Sequence, residues 1–262
     1  MEFEHILLRQ HNRVGYLTLN RPEVLNSFNE HMHREIAAAL DLWAVSKEIK
    51  VIVISGTGKG FCAGQDLRSR GMDVIAAPDY DAGAALEKFY NPLVLKITDM
   101  TKPVIAAVNG VAAGAGANLA LACDLVVAKQ SAAFIQSFCK VGLIPDAGGT
   151  WNLPHLIGLA RAKGLTMLGE KLSAQKALSW GLIWEVYEDE LFEANVTALA
   201  EQLAEQPNSS IALIKQALNR ATDNTLVEQL QLEREFQRIA GQSDNYKEGV
   251  AAFMQKRKPD FS

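Results

Sequence analysis

The sequence predicts an α/β protein with a mostly parallel sheet, and three observations carry that prediction. Residues 51–54 (Val-Ile-Val-Ile), 104–108 (Val-Ile-Ala-Ala-Val) and 125–127 (Leu-Val-Val) are brief, unbroken apolar runs, as expected of strands buried on both faces. Segments with apolar residues at helical spacing accompany them. Glycine-rich connections join strand to helix. Alternation of buried strand and helix packs as a parallel sheet covered by helices.

The elements follow in order. Residues 14–19 (Val-Gly-Tyr-Leu-Thr-Leu) are β-rich and end at Asn20-Arg21-Pro22, a turn signal. From about residue 29 to 47, Ile36, Leu40, Trp43 and Ala44 recur at helical spacing and predict a helix. The strand at 51–54 stops at Ser55-Gly56. Residues 103–128 are nearly uncharged and long enough to resemble a membrane span. Asn109-Gly110, Gly114, Gly116, Asn118 and Asp124 would be costly in lipid, so a strand, a turn, a short helix over 116–123 and a second strand are predicted instead. After about residue 189 the character changes. Residues 191–206, 209–222 and 225–241 read as amphipathic helices separated by Pro207-Asn208 and Asp223-Asn224, with no strand candidates. A boundary near 190 divides a core of 1–190 from a helical region of 191–262, which packs over the core or against other subunits. No internal repeat or low-complexity segment is visible.

Composition removes several function classes. The chain has 262 residues, 48% hydrophobic and 21% charged, with a net charge of −4. That content excludes a disordered chain, and the slight acidity argues against nucleic-acid binding through a broad basic field. Lys256-Arg257-Lys258 is the one dense basic run. Cys62, Cys123 and Cys139 are scattered, without a C-x-x-C pair or a histidine at metal-ligand spacing, which points to a reducing compartment and to no metal site. His31 and His33 stand two apart, so on a helix they face different ways; both are expected at the surface. The opening Met1-Glu2-Phe3-Glu4-His5 lacks a basic stretch followed by an apolar one, and a cytoplasmic protein without membrane segments is expected.

Three glycine-rich segments are candidates for chemistry. Residues 55–61 (Ser-Gly-Thr-Gly-Lys-Gly-Phe) follow a predicted strand, but Gly60 stands where a P-loop needs Ser or Thr, and Phe61 where a dinucleotide fingerprint needs glycine. The continuation Ala63-Gly64-Gln65-Asp66-Leu67 lets the backbone approach a ligand, with Asp66 placed to cap or support a following helix. Residues 109–118 link a strand to a helix, so free N–H groups and the positive helix end converge. Two such donors would form an oxyanion hole; tight helix–sheet packing at the glycines is the alternative. In residues 140–150, Pro145 fixes a turn before Gly148-Gly149, and Asp146 either caps the next helix or acts as a carboxylate.

Together, Leu19-Asn-Arg-Pro22 with Leu25-Asn26, Gly60-Phe-Cys-Ala-Gly-Gln-Asp-Leu67, the 109–118 segment, Asp124, Gly142-Leu-Ile-Pro145 with Gly148-Gly149-Thr150, and the tail Glu248-Gly249-Val-Ala-Ala-Phe253 with Lys256-Arg257-Lys258-Pro259 resemble the crotonase (enoyl-CoA hydratase/isomerase) superfamily over nearly the whole chain. The resemblance implies a crotonase-like ββα spiral core, a C-terminal helical region, assembly into homotrimers or hexamers, and an acyl-CoA thioester substrate whose coenzyme A replaces any separate cofactor. It implies that the thioester oxygen lies between the backbone N–H groups of Gln65 and Ala115, beside Gly64 and Gly114. It implies coenzyme A contacts at Val24, Leu25, Ala63, Gly64, Asp66 and Leu67, with Phe253 and Lys256 contributed by a neighbouring subunit. Glu23 stands where many members place a lysine near the phosphates.

The side chains that do chemistry differ among members. Hydratases of the superfamily use two glutamates, at positions held here by Asn118 and Phe138. Without that pair, ordinary hydration lacks its proton carriers. Asp146 matches an aspartate carried by several isomerases and a dehalogenase of the superfamily. The resemblance therefore implies an acyl-CoA isomerase with Asp146 moving the proton in an apolar pocket that raises its pKa, Asn118 orienting the substrate or Asp146, and Phe134, Phe138 and Trp151 as candidates for the acyl pocket. Stretches 144–151 and 172–184 fit best the members that isomerise ring-epoxidised phenylacetyl-CoA to an oxepin in phenylacetate breakdown. The rivals are an enoyl-CoA hydratase, a non-catalytic RNA-binding or scaffold protein on the same fold, and, distantly, a nicotinamide oxidoreductase.

Overall fold

The computed structural model describes residues 3–70 and 72–261. It opens with a hairpin of β1 (Ile6–His11) and β2 (Val14–Leu19), paired antiparallel from Ile6↔Leu19 to His11↔Val14. Asn12 and Arg13 turn it with positive φ of 46° and 65°, the backbone that a two-residue hairpin loop requires. α1 (Glu30–Val45) starts where the Asn29 side chain accepts the Met32 N–H at 2.9 Å, satisfying a first-turn donor. Met32, Ile36, Ala39, Leu40 and Trp43 form its buried stripe.

The remaining strands are β3 (Val51–Gly56), β4 (Gly60–Cys62), β5 (Val104–Val108), β6 (Val111–Ala113), β7 (Leu125–Lys129), β8 (Ala133–Ile135), β9 (Lys171–Ser173) and β10 (Glu185–Tyr187). They build two sheets, ordered β1-β2-β3-β5-β7-β10 and β4-β6-β8-β9. From β2 to β10 the larger sheet is parallel. From β3 to β8 each successive pair sends its first strand to the large sheet and its second to the small one, and a helix then returns the chain; β9 and β10 reverse that order. One-turn α2 (Met72–Ile75) and α3 (Asn91–Asp99) follow β4, α4 (Ala115–Leu121) follows β6, and α5 (Gly149–Leu168) follows β8. This is the expected ββα spiral. The repeat is absent from the sequence because small-sheet strands of three residues are too short to show a period.

The unbroken apolar runs are explained by two cores. Ile52 and Ile54 of β3 and Val104, Ala106 and Val108 of β5 join the main core with Phe28, Trp43, Phe61 and Phe134. The alternate residues Val51, Val53, Ile105 and Ala107 face the other way, onto Phe192, Val196, Ala200 and Ala204 of α7 (Phe192–Ala204). Strand alternation thus divides each run between two layers. Residues 103–128 resolve into β5, β6, α4 and the first part of β7. Among the described residues no helix is long and apolar enough to cross a membrane.

α6 (Ala174–Trp180) precedes β10. Beyond α7 come α8 (Asn208–Arg220), α9 (Leu226–Gly241) and α10 (Asp244–Gln255). The Thr225–Glu228 capping box starts α9. α10 was not expected from periodicity; Ser243 caps it, and Gly249 inside it weakens the helical signal. α8 is tied to the core by Lys215, whose Nζ donates to the Ile97 carbonyl at 2.7 Å and to Asp124 Oδ2 at 2.8 Å.

One expectation is overturned. His31 is half-exposed, but His33 is buried, its ring stacked on Phe28 (4.9 Å) and on Phe89 (5.5 Å). His33, Ile36 and Leu40 follow an i, i+3, i+7 series, which puts the histidine on the apolar stripe of α1.

Candidate active site

Asn26 gathers the segments that the sequence keeps apart. Its Nδ2 donates to the carbonyls of Thr57 and Gly60, both at 2.9 Å, and its Oδ1 accepts the Arg21 N–H at 2.8 Å. The Ala63 N–H donates to the Leu25 carbonyl at 3.0 Å, and Arg21 pairs with Asp66 at 3.0 Å. Val24, Leu25, Ala63, Gly64 and Asp66 therefore lie together, and half-exposed Leu67 opens the 3₁₀ turn that follows. Cys62, the last residue of β4, donates its thiol to the Asn26 carbonyl at 3.1 Å, and burial pushes its pKa up to about 12. It is a packing group, not a nucleophile.

Phe28 and Gln65 form an isolated parallel bridge. Phe28 gives its N–H to Gly64 O (2.7 Å) and takes the Asp66 N–H on its carbonyl (2.9 Å). Both partners flank Gln65, so the N–H of Gln65 points away from Phe28, because successive groups of an extended chain alternate. Ala115 lies close to the residue before Gln65. Gly64 has φ +89°, and a Cβ there would stand 3.0 Å from the Ala113 carbonyl and 3.3 Å from the Ala115 nitrogen. Only glycine allows this backbone and this approach. Ala115 is the first residue of α4, so its N–H has no carbonyl one turn back. Among the described residues no backbone carbonyl accepts from either N–H.

Asn118, on α4, is fully buried. Its Nδ2 donates to the main-chain carbonyl of Asp146 at 2.9 Å, and its Oδ1 accepts from Gln136 Nε2 at 2.7 Å. Gly149 makes this contact possible, since a Cβ there would lie 2.3 Å from Asn118 Nδ2. The Asp146 carbonyl also takes the Gly149 N–H at 2.8 Å. Gly148 is the N-cap of α5 and has no side chain with which to cap it. Asp146 is partly buried, with Oδ1 shielded from solvent.

Phe138, in the turn Ser137–Val141, reaches within 3.7 Å of the space a Gly114 Cβ would occupy. Asn118 on α4 and Phe138 beside its start thus place an amide and an aromatic ring at this end of the helix. Phe134 belongs to the main core, whereas Trp151 is half-exposed and packs on His155 with centroids 4.5 Å apart. Phe253 and Lys256 lie at the far end of the chain. Phe253 is 86% exposed and lines a groove of about 660 Å³ among α8, α9 and α10. That groove shares no residue with the 310 Å³ cavity lined by Asn29, Glu30, His31, His33, Gln65, Ala85 and Phe89.

Two residues near Gln65, Tyr90 and the histidine expected at the surface, were not read as part of a site. The Tyr90 hydroxyl donates to Gln65 Oε1 at 2.8 Å, and the His33 ring meets the Tyr90 ring edge-on at 4.3 Å. No sequence motif marks either.

Comparison with known proteins matches this architecture. The enoyl-CoA hydratase/isomerase family profile covers residues 9–262. The 1,2-epoxyphenylacetyl-CoA isomerase of Escherichia coli K12 is 52% identical over 259 residues, 99% of this chain and 98% of that one. A Rhodobacter capsulatus protein named probable enoyl-CoA hydratase is 46% identical over 249 residues, 95% of this chain and 94% of that one. The crystal structure of an enoyl-CoA hydratase from Bacillus anthracis superposes with a TM-score of 0.92 at 31% identity, covering 98% of this chain and 99% of that one. The chain belongs to the enoyl-CoA hydratase/isomerase (crotonase) family.

Proposed function

We propose that the protein is an acyl-CoA isomerase that converts ring-1,2-epoxyphenylacetyl-CoA to oxepin-CoA and shifts double bonds in enoyl-CoA substrates. The observation that carries this reading is the close approach of Gly64, next to Gln65, to the Ala115 nitrogen, with the Asp146 loop fastened to the same helix through Asn118. The thioester oxygen sits between the two donors, which are set where enolate charge develops. In a 3-enoyl-CoA, Asp146 takes a proton from the α carbon, the electron pair moves into the thioester, and the proton returns at the γ carbon. No water enters and mass is conserved. Asn118 and Phe138 supply no carboxylate for hydration, which sets the hydratase alternative second. The 52% identity to the E. coli isomerase supports the aromatic substrate.

The remaining contacts belong to the same reading. Val24, Leu25, Ala63, Asp66 and Leu67 border the coenzyme A, while Phe253 and Lys256 reach the site of a neighbouring copy. Exposed Leu218, Leu226, Val227, Phe253 and Met254 on α8 to α10 favour a homotrimer or a hexamer of two trimers, which sedimentation would weigh. The buried free thiols of Cys62 and Cys123 favour the cytoplasm.

An acyl-CoA panel followed by mass spectrometry tests the reaction. Isomerisation leaves the mass unchanged, and dominant addition of water would establish the hydratase instead. Asp146→Asn should abolish double-bond migration; full activity in that variant would remove Asp146 from the mechanism. Ala115→Pro deletes one donor at a first-turn position where proline is tolerated, and turnover should fall by about 10²–10³.

A further inference from the structure

We propose that Tyr90 is a positioning residue for the oxyanion donor, its hydroxyl clamping the Gln65 side chain against Phe28 and so aiming the Gln65 N–H. The inference rests on the assignment of that N–H to the thioester oxygen.

A backbone donor tolerates any side chain, so the oxyanion role does not explain a glutamine at position 65. The clamp does. Gln65 Oε1 accepts from the Tyr90 hydroxyl at 2.8 Å, and Gln65 Nε2 donates to the Phe28 carbonyl at 3.1 Å. The same Phe28 carbonyl holds the Asp66 N–H, and the Phe28 N–H holds the Gly64 carbonyl. The peptide before Gln65, its side chain and the peptide after it are therefore all fastened to one wall. That wall is stiff. Phe28 and Tyr90 are buried with ring centroids 5.8 Å apart, and His33 stacks on the first and abuts the second.

The backbone is also irregular where Tyr90 is delivered. Residues Leu86–Tyr90 form a π-helical turn, closed by the Asn91 N–H on the Leu86 carbonyl, before α3 begins. Such wide turns are rare and occur mostly as single turns at functional sites. Here the turn ends on the residue whose hydroxyl reaches Gln65.

Charge on the thioester oxygen is greatest in the transition state, so a misaimed donor weakens that state more than the bound substrate. Loosening the clamp should lower kcat and leave KM nearly unchanged. The test is a double-mutant cycle on the full-length protein with a 3-enoyl-CoA, using Tyr90→Phe, Gln65→Leu and the pair, with thermal unfolding recorded for each. Each single variant should lose about tenfold in kcat, a fraction of the 10²–10³ of a deleted donor, with KM changed less than about twofold. The pair should be no worse than either single, since both break one contact. If Gln65→Leu does not fold, Gln65→Met keeps the length without the amide.

Multiplicative effects, or losses confined to KM, would overturn the inference. Ala115→Pro separates the two levels. If it loses turnover while the cycle shows no coupling, the Tyr90 clamp falls and the oxyanion assignment stands. If Ala115→Pro is as active as the parent, the oxyanion assignment itself falls.

Discussion

Asn118 and Asp146 are joined by a 2.9 Å hydrogen bond from the Asn118 amide to the Asp146 main-chain carbonyl, across 28 residues of sequence. The bond is made by the main chain of Asp146 and fixes where its backbone stands. α4 thus carries a donor at its first residue, Ala115, and positions the carboxylate loop from Asn118 in its next turn. A single rigid element sets the distance between the two parts of the proposed chemistry.

Asn118→Ala should expose that dependence. It leaves Gln136 Nε2 and half of the Asp146 carbonyl's bonding unmet in a buried place, costing about 1–3 kcal/mol in denaturant unfolding. An ångström of misplacement at a reacting group costs about 10²-fold, so kcat should fall by about that factor and KM far less. A variant that keeps parental kcat would show that Asn118 is merely a packing residue.

Gly64→Ala is expected to lower both stability and turnover. The left-handed φ of +89° is strained for alanine, by about 1–3 kcal/mol. The methyl group would also stand 3.3 Å from the Ala115 nitrogen, in front of one proposed donor. Thermal unfolding should show the first effect, and turnover should fall further than the loss of folded protein explains. Parental activity would mean that the space between Gln65 and Ala115 is not where the substrate oxygen sits.

How much of this was legible beforehand depends on what kind of mark each feature leaves. The runs at 51–54, 104–108 and 125–127 announce themselves because both faces of each strand are buried, and the crotonase resemblance added the spiral. The small-sheet strands β4, β6, β8 and β9 have no room for a pattern. Gln65 and Ala115 could be nominated only through the family resemblance of the glycine-rich segments around them, since a backbone N–H has no side-chain signature. The Asn118–Asp146 bond depends on Gly149 passing over the amide, and the Tyr90 clamp on a π-helical turn. Both arise from chain crossings that no local window of sequence contains.

Lys215→Met tests the link between α8 and the core. Asp124 lies beneath it, and burial pushes the Asp124 pKa up while the Lys215 charge and hydrogen bond pull it back. Lys215 is buried but Asp124 keeps contact with solvent, so removing the lysine should cost less than the roughly 3–5 kcal/mol of a fully buried pair. Without the lysine the Asp124 pKa rises further, so the folded state holds its proton above the pH at which the unfolded chain releases it. Stability of the variant should then fall as pH rises through that range. Adding Asp124→Asn should restore much of the loss and flatten the pH dependence in chemical denaturation. A loss that Asp124→Asn leaves untouched would assign Lys215 a packing role alone.

His33 makes the opposite prediction about pH. Burial among Phe28, Phe89 and Tyr90 lowers its pKa from 6.5 to about 4, because the charged ring would be stranded away from water. Neither ring nitrogen has a hydrogen-bond partner. As pH falls, the unfolded chain takes up the proton first, near 6.5, and the folded one only near 4. The contribution is therefore intact above 6.5 and lost progressively below it, by roughly 3 kcal/mol at the lower end. His33→Phe keeps an aromatic ring in the stack and removes the titration. Urea unfolding of parent and variant between pH 7 and 5, where carboxylates contribute least, should show the variant gaining on the parent as pH drops. Parallel curves would mean that the folded protein admits a charged His33, by opening the 310 Å³ cavity beside it to water.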